Sequence, residues 1–116
     1  MKEMIAQIVK KAIASEQEGI KFGIDFDEVW EVLGYRNRNQ AGRRLIAQLI
    51  HGYDYIKYLT PSSKKQPQKY LLSIEGFRAL AMVANTYQGR TVREFFVNLE
   101  VEIKQDLERI YKLNLS

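Results

Sequence analysis

Apolar residues recur at helical spacing at Ile5, Ile8, Val9, Ala12 and Ile13, which predicts an amphipathic helix over residues 3–16, ended near Gly19. The next segment, IKFGID, alternates Ile20, Phe22 and Ile24 with Lys21 and Gly23, as a short strand or extended lead-in does. Asp25 stands three residues before Glu28, a capping-box signal for a second helix over residues 26–33. That helix would bury some of Phe26, Val29, Trp30 and Leu33, and Gly34 would end it. A third helix starts near Asn37 or Asn39 and runs to about Ile50, with Ala41, Leu45, Ile46 and Leu49 as its inward stripe. Two short helices joined by a turn of about four residues containing glycine make a helix-turn-helix. Gly42, inside the second of them, costs ~1 kcal/mol relative to alanine, which asks for a packing or DNA-proximity reason.

After Gly52 the period changes. YDYIKYL (53–59) and QKYLLSI (68–74) are aromatic, β-branched and roughly alternating. TPSSKKQPQ between them holds both prolines and reads as an exposed loop. The three pieces predict a β-hairpin with a long basic tip, a wing. Ser73 can cap the following helix, whose FRALAMVAN segment is apolar on nearly every side and belongs in the core. TYQG (86–89) breaks that helix, and a last one runs from about Arg90 to Leu113. In it Val92, Phe96, Leu99, Ile103, Ile110 and Leu113 follow 3–4 spacing, interrupted where Asp106 takes one position. The first half can pack on the core. The second half has nothing intramolecular left to cover, which points to a dimer seam or a connection to a further domain.

The pattern defines an α+β class, mostly helical: a helix-turn-helix, a β-hairpin wing and a long C-terminal helix. A chain of 116 residues fits one domain, with an extra N-terminal helix at 1–19 and a helical extension at 103–116 around a core at 20–102. There is no cysteine, which excludes a disulfide scaffold or a thiolate zinc site and fits a reducing compartment. No run reaches the ~18 apolar residues needed to span a bilayer, and the N-terminus lacks a signal-peptide core. A cytoplasmic protein without a membrane partner is expected.

Charge adds more. Residues 1–35 carry four Lys/Arg against seven Asp/Glu, residues 70–116 six against six, and residues 36–69 eight against Asp54 alone. The excess of basic residues therefore sits in one central third, as in a polyanion binder, although a solvated basic face has the same composition.

Catalytic constellations are missing. His51 is the one histidine, beside Gly52 at a predicted helix end, where imidazole can meet terminal carbonyls. Asp25, Asp27 and Glu28 belong at a helix N-terminus, where the dipole favours them. Glu100 and Glu102 point to different helix faces. No glycine-rich phosphate loop is present. Tyr53, Tyr55 and Tyr58 near basic residues hint at a tyrosine recombinase, but such a core is much longer and strand aromatics account for the same residues. No enzyme, no cofactor and no metal site is expected.

GYRNRNQAGRR (34–44) supplies a binding candidate instead. Arg36, Asn37, Arg38, Asn39, Gln40, Arg43 and Arg44 fall in the turn and first two turns of the second helix of the pair, positions that face the major groove in helix-turn-helix proteins. Arginine can donate two hydrogen bonds to guanine, and asparagine or glutamine can pair both edge groups of adenine. The hairpin lysines Lys57, Lys64, Lys65 and Lys69 extend the basic surface, with Lys64 and Lys65 able to reach a neighbouring backbone or minor groove. Structural duties compete for some of these residues: Asn37 and Asn39 can serve as turn and cap residues, and at least one arginine is expected to pair with Asp27, Glu28 or Glu31.

Three stretches in order, IDFDEVWEVLGYRNRNQAGRRL, DYIKYL and KYLLSIEGFRALAMVANTYQGRTVREFFVNLE, resemble the N-terminal domains of phage antirepressors and the related Bro-N and KilA-N type domains of large DNA viruses. The resemblance covers about residues 20–102. Its most specific parts are Leu33-Gly34-Tyr35, the T-x-x-G-x-x-V-R-x-F-F run from Thr86 to Phe96, and Leu99-Glu100. It implies a small α+β module that binds double-stranded DNA through the residues after Tyr35, usually followed by a C-terminal effector domain. It also implies structural roles for Thr86, Gly89 at a sharp turn, and Arg93 as a cap of carbonyls or partner of an acid. The expected function is sequence-specific DNA binding by a homodimeric regulator or targeting module; the competing expectation is an antirepressor that binds a repressor protein without touching DNA.

Overall fold

The computed structural model describes residues 2–58 and 68–115. Helix α1 (Lys2–Gln17) buries Ile5, Val9 and Ala12 and packs on the two C-terminal helices. Ile13, read as part of the buried stripe, lies on the exposed side, because the row through Ile5, Val9 and Ala12 passes it by one position. The N-terminal helix is therefore a packing helix, closed by Gly19 at φ 87°.

Three short strands form an antiparallel sheet: β1 (Ile24–Asp25), β2 (Tyr55–Tyr58) and β3 (Lys69–Leu72), with β3 in the middle. Ile24 pairs with Leu72 across one edge, and Tyr55 pairs with Leu72 and Tyr58 with Lys69 across the other. The strands are shorter than the sequence pattern. Tyr53 is exposed outside the sheet, and Ile74 already belongs to the next helix. Phe26, Tyr70 and Tyr55 stack edge to face at 5.6 and 5.8 Å, which makes the inner side of the sheet an aromatic layer.

Helix α2 (Phe26–Val29) is a single turn, with Asp25 as its N-cap accepting from the Asp27 N–H. Beyond Val29 the chain continues as hydrogen-bonded turns: Leu33 N–H donates to Val29 and Gly34 N–H to Glu31. The helix expected over 26–33 is thus a short helix plus a turn run that still buries Phe26, Val29 and Leu33. Gly34 (φ 79°) reverses the chain there, and a Cβ would run into the Gln88 side chain. Helix α3 (Arg38–Gln48) follows and packs on α4 (Ile74–Val83).

Ser73 caps α4 by accepting from Gly76 N–H at 3.0 Å, and its hydroxyl also lies within reach of the Tyr53 and Asp54 carbonyls. The segment before β2 crosses α4 so closely that a Cβ on Gly76 would sit 1.8 Å from the Asp54 carbonyl oxygen. Phe77, Leu80 and Ala81 face the core, whereas Met82 is exposed, so α4 has one wet side.

Helix α5 (Tyr87–Leu115) starts three residues earlier than the sequence pattern placed it. Tyr87, Gln88 and Gly89 are its first turn; the break from α4 lies at residues 84–86. Thr86 Oγ1 accepts from Gly89 N–H at 2.8 Å and donates to the Leu33 carbonyl. Gly89 is needed for close approach, not for a turn: its Cβ would meet Ala84 Cβ at 2.8 Å. Arg93 donates to the Ala81 and Ala84 carbonyls, at 2.7 and 3.0 Å, closing the C-terminus of α4. Val92 and Phe96 enter the core, but every described side chain from Val101 to Asn114 is exposed. That tip gives the molecule extents of 63 × 32 × 24 Å and a radius of gyration of 16.3 Å, against roughly 13 Å for a compact chain of this length. The fold is α+β and mostly helical. Among the described residues, no helix is long and apolar enough to cross a membrane.

Candidate nucleic-acid interface

Helix α3 begins where the sequence asks it to. Asn37, in extended conformation, accepts from Gln40 N–H through its side chain at 2.8 Å. Gln40 returns the bond one residue further back, its Oε1 accepting from Arg36 N–H at 2.8 Å. The acceptor oxygens of both amides are committed to ordering the helix start, so Asn37 and Gln40 are cap residues before they are base readers. Asn39 remains exposed and outside the cap.

Arg38 is also turned inward. Its Nε donates to Asp27 Oδ1 at 2.5 Å, and the guanidinium donates to the Gln68 carbonyl. It lies over the rings of Phe26 and Tyr70, 5.5 and 5.9 Å from their centroids. Lys69 donates to the other oxygen of the same carboxylate, at 2.7 Å. Asp27 thereby ties α2, the start of α3 and the central strand together. Burial pushes the Asp27 carboxyl up, but the hydrogen bonds and charges of Lys69 and Arg38 outweigh it and hold the group below the ordinary 3.8. The bond that Lys69 donates to Asp27 pushes the lysine up in turn. Arg38 and Lys69, both named as DNA contacts from the sequence, are therefore structural, and Arg38 is the arginine that takes an acidic partner. The reason is helical phase: 38, 41 and 45 share the inward row, and a charge there must be paired.

Arg36, Asn39, Arg43, Arg44 and Lys57 are exposed and make no side-chain hydrogen bond or ion pair among the described residues. Asn39 and Arg43 lie on α3 opposite the buried Ala41 and Leu45, Arg44 flanks them, and Arg36 precedes the Asn37 cap in the chain leading into the helix. The Arg44 charge is felt at Tyr35, whose phenol burial pushes up and Arg44 partly pulls back. Tyr35 in turn donates from its hydroxyl to the Leu80 carbonyl at 3.2 Å, fixing the chain just before Arg36. The first turn of α3 contains no acid of its own; the carboxylate beside it is that of Asp27, taken up by Arg38 and Lys69. Lys57 lies on β2, an edge strand. Lys64 and Lys65 lie outside the described residues. Because Arg38 reaches Gln68, the start of α3 stands beside the residue that precedes β3.

Ile46 departs from the expected stripe. It is 56% exposed, one helical turn beyond Arg43 on the outward side. The inward row runs through Ala41, Leu45 and Leu49 and leaves Ile46 about 100° away. His51 does not cap α3 either; its ring packs edge to face on Tyr55, centroids 5.3 Å apart. The turn after α3 is held instead by Asp54, a residue the sequence pattern did not single out, whose Oδ2 accepts from Ile50 N–H at 2.8 Å. Among the described residues, no three His, Cys, Asp or Glu side chains cluster as metal ligands do.

No family model matches the chain, and no match was found among curated proteins or solved structures. What the motif residues do is nonetheless visible in their contacts. Leu33 meets Thr86, Gly34 abuts Gln88, Tyr35 reaches Leu80 and Arg93 closes α4. These residues interlock around the helix junctions and hold the chain that leads into α3.

Proposed function

We propose that the chain is a sequence-specific module for double-stranded DNA, acting in the cytoplasm as a regulator or as the targeting part of a larger protein of phage antirepressor type. The observation that carries this reading is the outward side of α3 with the residue leading into it: Arg43 and Arg44 on the helix and Arg36 before its cap are exposed and unpaired among the described residues, and the first turn carries no acid of its own. Such a surface can place guanidinium groups on guanine edges and on phosphates while the cap holds the helix end rigid. Fluorescence anisotropy with random duplex DNA over a salt series tests it. Log K should fall linearly with log salt, with a slope of about 0.9 per phosphate neutralised. Absence of binding at low salt would overturn the reading and favour the competing one, in which the basic face meets an acidic surface of a repressor protein.

Two copies pair through the tip of α5 in this reading. The row that buries Val92 and Phe96 continues as Ile103, Leu107 and Ile110, all exposed beyond the end of the core. Ile103→Lys with Ile110→Lys should convert a dimer to a monomer by light scattering while the chain stays folded by circular dichroism, with a melting temperature that no longer depends on concentration; an unchanged mass would remove this role.

A further inference from the structure

Gly42 has no explanation inside the chain. Its φ is not positive, unlike that of Gly19, Gly34 and Gly52. A Cβ added to it meets no atom within 4 Å among the described residues, whereas one added to Gly76 or Gly89 would collide with neighbouring backbone. Neither backbone conformation nor packing therefore asks for glycine, although glycine within a helix costs ~1 kcal/mol relative to alanine. A missing side chain at an open helix position permits a partner to approach the backbone closely. Four residues on, Ile46 stands exposed on the same edge of α3. Asn39 and Arg43 form the neighbouring row, so a small notch and an exposed branched apolar side chain sit directly beside polar and cationic groups.

We infer that Gly42 and Ile46 form a notch that takes the C5-methyl group of a thymine in the major groove, while Arg43 engages an adjacent base. The inference rests on the DNA-binding reading above and adds what one position of the target must be. Thymine is the base whose major-groove edge carries a methyl group, and apolar side chains read it by contact. Glycine lets the base edge approach the helix backbone, and isoleucine covers the methyl from one side. The charge of the surrounding surface selects duplex DNA as the occupant.

The experiment is selection of binding sites from a randomised duplex pool by the wild-type chain, Gly42→Ala and Ile46→Ala, followed by anisotropy on the selected site and on random duplex. The wild type should select thymine at a fixed position. Both variants should keep the random-duplex affinity and salt slope but lose about fourfold at that position, the equivalent of one buried methyl group. Deoxyuridine in place of that thymidine should cost the wild type the same factor and cost Ile46→Ala nothing further. Gly42→Ala should also melt higher, by roughly 2–6 °C, so that weaker specific binding cannot be assigned to lost structure. Variants that select thymine as strongly as the wild type, or a wild type indifferent to deoxyuridine, would overturn the inference and leave DNA binding standing. A wild type that binds no duplex at low salt would overturn both.

Discussion

Arg38 and Arg43 stand five positions apart on one helix and carry the same side chain to opposite ends. Arg38 is bonded to Asp27 and to the Gln68 carbonyl and covered by two aromatic rings; Arg43 faces solvent with no partner among the described residues. Composition treats them alike, and helical phase separates them. Position 38 shares the inward row of Ala41 and Leu45, where a guanidinium must be neutralised, and position 43 lies nearly opposite. A run of basic residues is thus two devices in one stretch: a clamp that fixes where α3 starts, and a surface that the clamp holds in place. The lysines divide the same way, Lys69 into the clamp and Lys57 onto the surface.

The largest effect should come from the surface arginines. Arg43→Ala with Arg44→Ala should weaken duplex binding by about 2 kcal/mol or more and flatten the salt dependence by up to about 2 in slope. Their melting temperature should hardly move, since exposed, unpaired substitutions stay within about 0.5 kcal/mol. Unchanged affinity would break the comparison on the binding side. Arg38→Ala should do the converse. It removes charge-assisted hydrogen bonds and the cover over Phe26 and Tyr70, at a cost of about 1–3 kcal/mol in urea unfolding, with no loss of salt slope for the fraction that stays folded. Equal stability of this variant and the wild type would show that the clamp does not hold the fold.

A smaller change sharpens the division further. Asn37→Ala leaves every arginine in place and removes only the cap, so it should cost about 1 kcal/mol of stability by thermal melting. The smallest effect under ordinary conditions is that of pH. Asp27 is held below its unfolded value, so its contribution is fully present above about pH 4–5 and is lost as pH falls through the folded pKa. Unfolding measured from pH 7 to pH 3 should lose stability at the acid end, and Asp27→Asn should remove that part of the decline while being less stable at pH 7. An acid limb identical in the variant would assign it to other carboxylates.

Much of this molecule is written locally. The apolar spacing of residues 5–12, the caps Asn37 and Ser73, the chain reversal at Gly34 and the alternation around 55–58 and 69–72 each specify an element from a few neighbouring residues. Intrinsic geometry suffices for these, because cap, turn and period act within one or two helical turns. The candidate surface was legible in the same way, as an acid-free cluster of arginines and amides.

Decisions that depend on a distant partner were not. The choice of Arg38 as the clamped arginine needed Asp27 from α2 and Gln68 from the wing, 11 and 30 residues away. The seating of the α4–α5 junction against the turn before α3 depends on Thr86 donating to the Leu33 carbonyl, 53 residues back. Ile46 reads as core in any apolar tally, and only the seating of α3 on α4 turns it to solvent. Local sequence determined which elements exist and where their caps lie. Tertiary packing decided how each helix is rotated, and rotation is what sends one arginine to a carboxylate and another to the surface.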